Sequence, residues 1–250
     1  DGHKGQVLAL DYGAGRTLVS GAADQTAKVW DLSPEWKLVG VLGPKKEAPQ
    51  DLNDSVFNSR VLCLDFSPDG KLLASGSGLP SRSGELKIWN VADGNLVREV
   101  KEAHSDTVFS VRFSPDGKAL AAGAADKFMK TFDVATGKFI RGFEGHTHHV
   151  LGVSWSADGR MLASAGADNV VKSWDVNSGE QKKTIPGFTK EVTGIAFVGA
   201  TNEAVAASGD KTVRFWDLAT QTPELTCAGP CVCLCLCVRC CRAQALGAVH

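Results

Sequence analysis

The chain has 250 residues, 43% hydrophobic and 22% charged, with 27 basic and 28 acidic side chains giving a formal net charge of −1. Those proportions belong to a folded globular protein; charge this evenly spread gives no summed field to hold a phosphate backbone, and no stretch approaches the roughly 20 apolar residues of a membrane-spanning helix. Nucleic acid and membrane are therefore not expected partners.

The chain starts Asp1-Gly2-His3, with neither an initiator Met nor an apolar leader, which is read as a loss of upstream residues and leaves the compartment open. A first set of strands is expected over about residues 5–41. It ends in Asp24-Gln-Thr-Ala-Lys-Val-Trp30-Asp31. A polar stretch, Gly43 to Arg60, follows and reads as a surface insertion or a partner-touching arm. The second set, about 60–100, opens with Val61-Leu-Cys-Leu-Asp-Phe66, an apolar run of period two that makes a strand rather than a helix. It turns at Ser67-Pro-Asp-Gly70 and carries a second insert, Gly78 to Gly84, expected as a loop. The turn recurs as Ser114-Pro-Asp-Gly117 in the third set, about 106–143, and as Ser156-Ala-Asp-Gly159 in the fourth, about 148–186. Pro presets φ, Asp bonds its own backbone and Gly takes φ > 0 there. The fifth set spans about 191–226.

Trp89, Phe132, Trp174 and Trp216 follow one another at intervals of 43, 42 and 42 residues, whereas the 59 from Trp30 to Trp89 reflect the two inserts. The period, the Trp-Asp ends and the Gly-His starts over about residues 1–226 resemble the WD40 family closely. The resemblance implies an all-β WD40 β-propeller of five recognisable four-stranded blades, expected as a partial, open arc of a seven-bladed ring. Exposed end blades would then favour self-association. It also implies a buried hydrogen-bonded tetrad in each blade. His3, Ser20, Asp24 and Trp30 complete it in the first, and His146, Ser164, Asp168 and Trp174 in the fourth. The third keeps His104 and Asp126 with Ala122 and Phe132 substituted, the fifth keeps Asp210 and Trp216 with Phe188 and Ala206 substituted, and the second keeps only Ser75 and Trp89.

A Ser/His/Asp set invites a hydrolase reading, but it recurs at the blade period, places each Ser inside a strand and lacks a Gly-rich nucleophile turn. The expectation is a structural role, with no catalytic residue and no cofactor. His148 and His149 beside His146 suggest a metal, yet neighbours on a strand point to opposite faces and no third ligand is near, so no metal site is expected. Beyond Thr226 seven cysteines crowd between Cys227 and Cys241. Thiolate metal ligation, disulfides and a non-native or disordered end of residues 227–250 all fit, and the abrupt loss of the repeat favours the last.

Family members generally bind proteins or peptides on the loops between blades and on the turn before each third strand. By position that face holds Lys4, Gln6, Ser105, Asp106, Thr107, Thr147, His148, His149, Lys190 and Glu191. The function expected is a non-catalytic protein-interaction scaffold whose partners are other proteins or peptides. Phrases such as Glu144-Gly-His-Thr-His-His-Val150 also look like bacterial WD40 proteins, some fused to c-type cytochromes. The alternative is thus a propeller module of such a larger protein, periplasmic in that case and otherwise in the cytoplasm.

Overall fold

A computed structural model describes residues 2–13, 16–33, 37–42, 57–218 and 223–228. The described residues form five four-stranded antiparallel sheets, each a meander of consecutive strands, with no α-helix among them. The first sheet comprises β1 (Val7–Tyr12), β2 (Thr17–Ala22), β3 (Ala27–Asp31) and β4 (Lys37–Val41). The second has β5 (Val61–Phe66), β6 (Leu72–Leu79), β7 (Ser83–Asn90) and β8 (Leu96–His104), and the third β9 (Val108–Phe113), β10 (Ala119–Ala124), β11 (Met129–Asp133) and β12 (Phe139–Phe143). The fourth is β13 (Val150–Trp155), β14 (Met161–Gly166), β15 (Val171–Asp175) and β16 (Gln181–Ile185); the fifth is β17 (Val192–Phe197), β18 (Glu203–Ser208), β19 (Thr212–Asp217) and β20 (Pro223–Ala228). The chain divides into two compact units, one up to Val150 and one from Leu151 onward.

A four-stranded sheet has two apolar faces and buries them only by stacking. The second strands show the consequence in their sequences: Thr-Leu-Val-Ser-Gly-Ala in β2, Ala-Leu-Ala-Ala-Gly-Ala in β10 and Met-Leu-Ala-Ser-Ala-Gly in β14 are buried along nearly their whole length. Small residues there let neighbouring sheets approach. In the first unit Val19, Ala27 and Val29 pack on Val61, Leu64, Leu73 and Trp89 of the second sheet. Cys63, Ala74, Leu86 and Ile88 in turn pack on Val108, Val111, Leu120 and Phe132 of the third. In the second unit Ala163, Ala165 and Val171 meet Val192, Ile195 and Ala206. Each fully buried Leu, Ile or Val contributes about 1.5–3 kcal/mol, so stacking carries much of the stability.

The first strands are also stitched through one repeated position. The Asp11 carboxylate accepts the Phe66 N–H at 2.7 Å, Asp65 accepts the Phe113 N–H at 2.6 Å, and in the second unit Ser154 Oγ accepts the Phe197 N–H at 3.1 Å. The other carboxylate oxygen of Asp65 accepts from the Arg112 guanidinium at 3.3 Å. Burial nevertheless pushes the Asp65 carboxyl up to about 7, Arg112 and the Phe113 N–H offsetting only part of it and Asp11 adding to it.

Each Ser-Pro/Ala-Asp-Gly turn closes as its residue types dictate. Ser67 Oγ donates to Asp69 at 2.7 Å and accepts the Leu72 N–H at 2.8 Å, and Gly70 takes φ +70°. Ser114 with Asp116 and Ser156 with Asp158 repeat the arrangement, both at 2.6 Å.

The insert Gly78 to Gly84 is not a loop. It lengthens β6 and β7, whose pairing runs on through Gly78↔Gly84 and Leu79↔Ser83, so a polar, Gly-rich spelling conceals an extended hairpin. The glycines are there for proximity. A Cβ on Gly78 would stand 2.8 Å from Thr107 Cα, and one on Gly84 2.2 Å from the Asp106 carbonyl oxygen. The other insert lies outside the described residues from 43 to 56, as does the cysteine-rich tail from 229; Cys227 is an exposed free thiol in β20.

Candidate functional site

Two layers meet where the inter-sheet loops and the β2–β3, β10–β11, β14–β15 and β18–β19 turns lie: a buried polar network and the loops above it. In the first sheet the network is a relay of hydrogen bonds. The Trp30 Nε1–H donates to Ser20 Oγ at 2.7 Å, and Ser20 Oγ lies 2.6 Å from His3 Nε2. With that donor taken, the serine hydroxyl donates to Nε2, and the His3 Nδ1–H faces the Asp24 carboxylate at 3.1 Å. Asp24 also accepts the Lys4 N–H at 2.7 Å and the Thr26 hydroxyl at 2.6 Å. Burial alone would raise its carboxyl, but Thr26, the Lys4 N–H and His3 outweigh that and hold it below the usual range. Asp24 therefore locks the loop that begins the sheet to the turn that precedes β3.

In the second unit Trp174 donates to the buried Ser164 at 2.8 Å, and Asp168 sits in the turn before β15. His146 is buried at the end of the first unit. Ser75 and Trp89 keep the same bond in the second sheet, at 2.8 Å. Both serines are buried, Ser164 0% and Ser75 1% exposed.

The incomplete sets are tied differently, and by a residue outside the tetrad. A basic side chain stands two residues before each Trp or Phe: Lys28, Lys87, Lys130, Lys172 and Arg214. In the first and third sheets the lysine caps the carbonyl just before the His: Lys28 Nζ donates to Gly2 O at 2.8 Å and Lys130 Nζ to Ala103 O at 3.0 Å, whereas in the fourth Lys172 Nζ donates to Gln181 Oε1 at 2.8 Å and to Thr184 Oγ1 at 3.1 Å. Where Phe replaces His, the cation lies over the ring instead. Lys87 Nζ is 5.4 Å from the Phe57 centroid and the Arg214 guanidinium 4.5 Å from that of Phe188. Arg214 also reaches Gly187 O at 2.7 Å and Asp210 at 3.1 Å, so it ties together loop and turn as His3 and Lys28 do in the first sheet. The signal was legible as a fixed offset in the sequence.

The ties are incomplete in two places. His104 donates from Nδ1 to Asp126 at 2.9 Å, but with Ala122 in the serine place its Nε2 is buried without a partner among the described residues. Burial holds this imidazole below its ordinary pKa despite the Asp126 carboxylate. Trp216 Nε1, with Ala206 in the serine place and Ala204 across the β18–β19 pair, is likewise unpartnered among the described residues.

Above this network Lys4, Gln6, Ser105, Thr147, His148, Lys190 and Glu191 are exposed, and Asp106 and His149 half-buried. Thr107 is 3% exposed, covered where Gly78 abuts its Cα, so its side chain is not part of the face. Phe188, in the His place of the fifth sheet, is buried beneath Arg214 and leaves the rim without its ring. An unanticipated ring takes its place: Phe109 in β9 is half-buried, its centroid 5.8 Å from that of His149. His148 and His149 do not point apart along a strand. They precede Val150 in a loop, and their ring centroids lie 4.3 Å from each other. Among the described residues no three His, Cys, Asp or Glu side chains are grouped to hold a metal ion.

The family model described as "WD domain, G-beta repeat" matches residues 1–31, 53–90, 94–133, 137–175 and 179–217, well over half of the chain. The chain is similar to apoptotic protease-activating factor 1 of Rattus norvegicus, 37% identical over 97 residues, covering 38% of this chain and 6% of that protein. It is similar to autophagy-related protein 16 of Arabidopsis thaliana, 28% identical over 137 residues, 54% of this chain and 23% of that protein. It also aligns with the F-box-like/WD repeat-containing protein TBL1X of Mus musculus at 27% identity over 139 residues, 55% of this chain and 25% of that protein. The chain thus spans a quarter or less of the length of these relatives.

Proposed function

Because the chain belongs to the WD40 repeat family, whose members generally bind other proteins, we propose that it is a non-catalytic scaffold that holds a protein or peptide partner on the loops before each sheet. The observation that carries this reading is the separation of the two layers. In the first sheet Trp30, Ser20, His3 and Asp24 are spent on one another, whereas Lys4, Gln6, Ser105, Thr147, His148, Lys190 and Glu191 stand exposed at the same end of their sheets. A buried relay fixes the loops; the loops present side chains without having to be ordered by the partner, which lowers the entropic cost of binding.

The face is polar, with Phe109 and the two histidines as its aromatic component, a composition suited to a polar, hydrated contact more than to a large apolar anchor. Amide hydrogen exchange of the chain alone and with a captured partner tests the assignment. Protection at 105–107, 147–149 and 189–191 supports it; protection confined to the opposite turns at 67–70, 114–117 and 156–159 refutes it.

A further inference from the structure

One corner of this face has a chemistry of its own. Asp106 lies in the loop between β8 and β9. Its Oδ1 accepts two N–H groups, from Ser81 at 2.8 Å and from Thr107 at 2.7 Å. The first comes from the tip of the extended β6–β7 hairpin, so the carboxylate is held from two directions. Burial would raise this carboxyl, but the Ser81 and Thr107 donors outweigh it and keep it below its ordinary value. Asp106 is therefore ionised at neutral pH.

Three residues on in β9 is Phe109, its ring centroid 5.8 Å from that of His149 with an interplanar angle of 32°, and the His148 ring lies 4.3 Å further on. Burial, followed by the neighbouring His148 and then Lys127, lowers the His149 imidazole, and the Asp106 carboxylate only partly opposes this. The His149 imidazole is thus held toward its neutral form, a flat π surface within reach of the Asp106 charge.

We propose that this corner binds an arginine side chain of the partner, the guanidinium pairing with Asp106 and lying against the Phe109 and His149 rings. The inference rests on the scaffold reading of the same face and names the chemistry of its partner. A planar cation suits both halves of the site, since guanidinium pairs with carboxylates through parallel N–H groups and stacks on aromatic faces, whereas an ammonium offers no plane. An anion would meet the charge of Asp106. Lys127, close enough to His149 to act on it, disfavours a run of basic residues, so the arginine is expected alone, between neutral or acidic neighbours.

The test is selection of a random twelve-residue peptide library displayed on phage against the 250-residue chain, repeated with Asp106→Asn and with Ser105→Glu/Thr147→Glu. Asparagine keeps the oxygen that accepts the Ser81 and Thr107 N–H groups. Selected peptides are expected to share one arginine, to lose enrichment on Asp106→Asn, and, when synthesised with citrulline in its place, to bind about tenfold or more weakly. His149→Ala, in a loop, is expected to weaken the same peptides and provides the readout should Asp106→Asn fail to fold. Peptides lost on Ser105→Glu/Thr147→Glu but carrying no arginine and indifferent to Asp106→Asn would overturn this inference and leave the scaffold reading standing. Peptides indifferent to all these substitutions would overturn both.

Discussion

Ala122→Ser should stabilise the protein. Ala122 lies in β10 opposite Lys130 and Val111, the register that Ser20 holds in β2 opposite Lys28 and Leu10. In the first sheet that serine gives its hydroxyl to a histidine Nε2 at 2.6 Å. In the third, His104 is held by Asp126 through Nδ1, its side chain has no exposed surface, and Nε2 has no partner among the described residues. An unsatisfied buried polar atom costs about 1–3 kcal/mol, part of which the desolvation of a new hydroxyl takes back, leaving a gain of about 1 kcal/mol. Space is available, since Phe132 stands where the first and fourth sheets fit a larger Trp beside their serine. For a unit of this size the gain is worth about 2–4 °C in Tm. Urea and thermal unfolding of the parent, Ala122→Ser, His104→Phe and the double variant give the coupling directly. A serine that stabilises equally with Phe at 104, or that destabilises with His104 in place, would refute the reasoning.

Arg214→Ala should lower the urea midpoint by an amount of order 1–3 kcal/mol, because the guanidinium over Phe188 also bonds Gly187 O and Asp210; Arg214→Lys should recover part of it. Asp65, with its carboxyl raised to about 7, makes stability fall with rising pH. The folded form holds a proton that the unfolded chain releases near pH 4, so the contribution is whole below that and is lost as pH climbs through about 7. Urea midpoints measured from pH 5 to pH 8 should show this decline in the parent and a flatter profile in Asp65→Asn; an identical slope in both would contradict the assignment.

The sequence made the repeat legible because its causes are local. A period of two, a Ser-Pro-Asp-Gly turn and a Trp 42 residues from the next each act within one sheet, and Ser20 with Trp30 or Ser67 with Asp69 lie where the pattern places them. What it concealed depends on contacts between sheets. Gly78 and Gly84 look like loop punctuation but are glycine because Thr107 and Asp106 of the third sheet press on them. Asp65, inside the apolar first strand of the second sheet, is an acceptor for the neighbouring sheet, a role its own strand does not show. The pairing of His148 with His149 was misread by giving strand geometry to a loop. The basic residue before each Trp was visible as a period, but its partner, a carbonyl in the first and third sheets, an aromatic ring in the second and fifth and the Gln181 and Thr184 side chains in the fourth, appears only in three dimensions.

The central claim is that the loop face, held rigid by the networks beneath it, is where partners bind. The direct measurement is the affinity of a captured partner for the parent chain, for Ser105→Lys/Thr147→Lys on that face, and for Asp116→Lys/Asp158→Lys at the opposite turns, with unfolding curves to verify that each variant is folded. The account predicts a loss of about tenfold or more for the first pair and little change for the second. Equal affinity across all three, or loss only in the second, would contradict it.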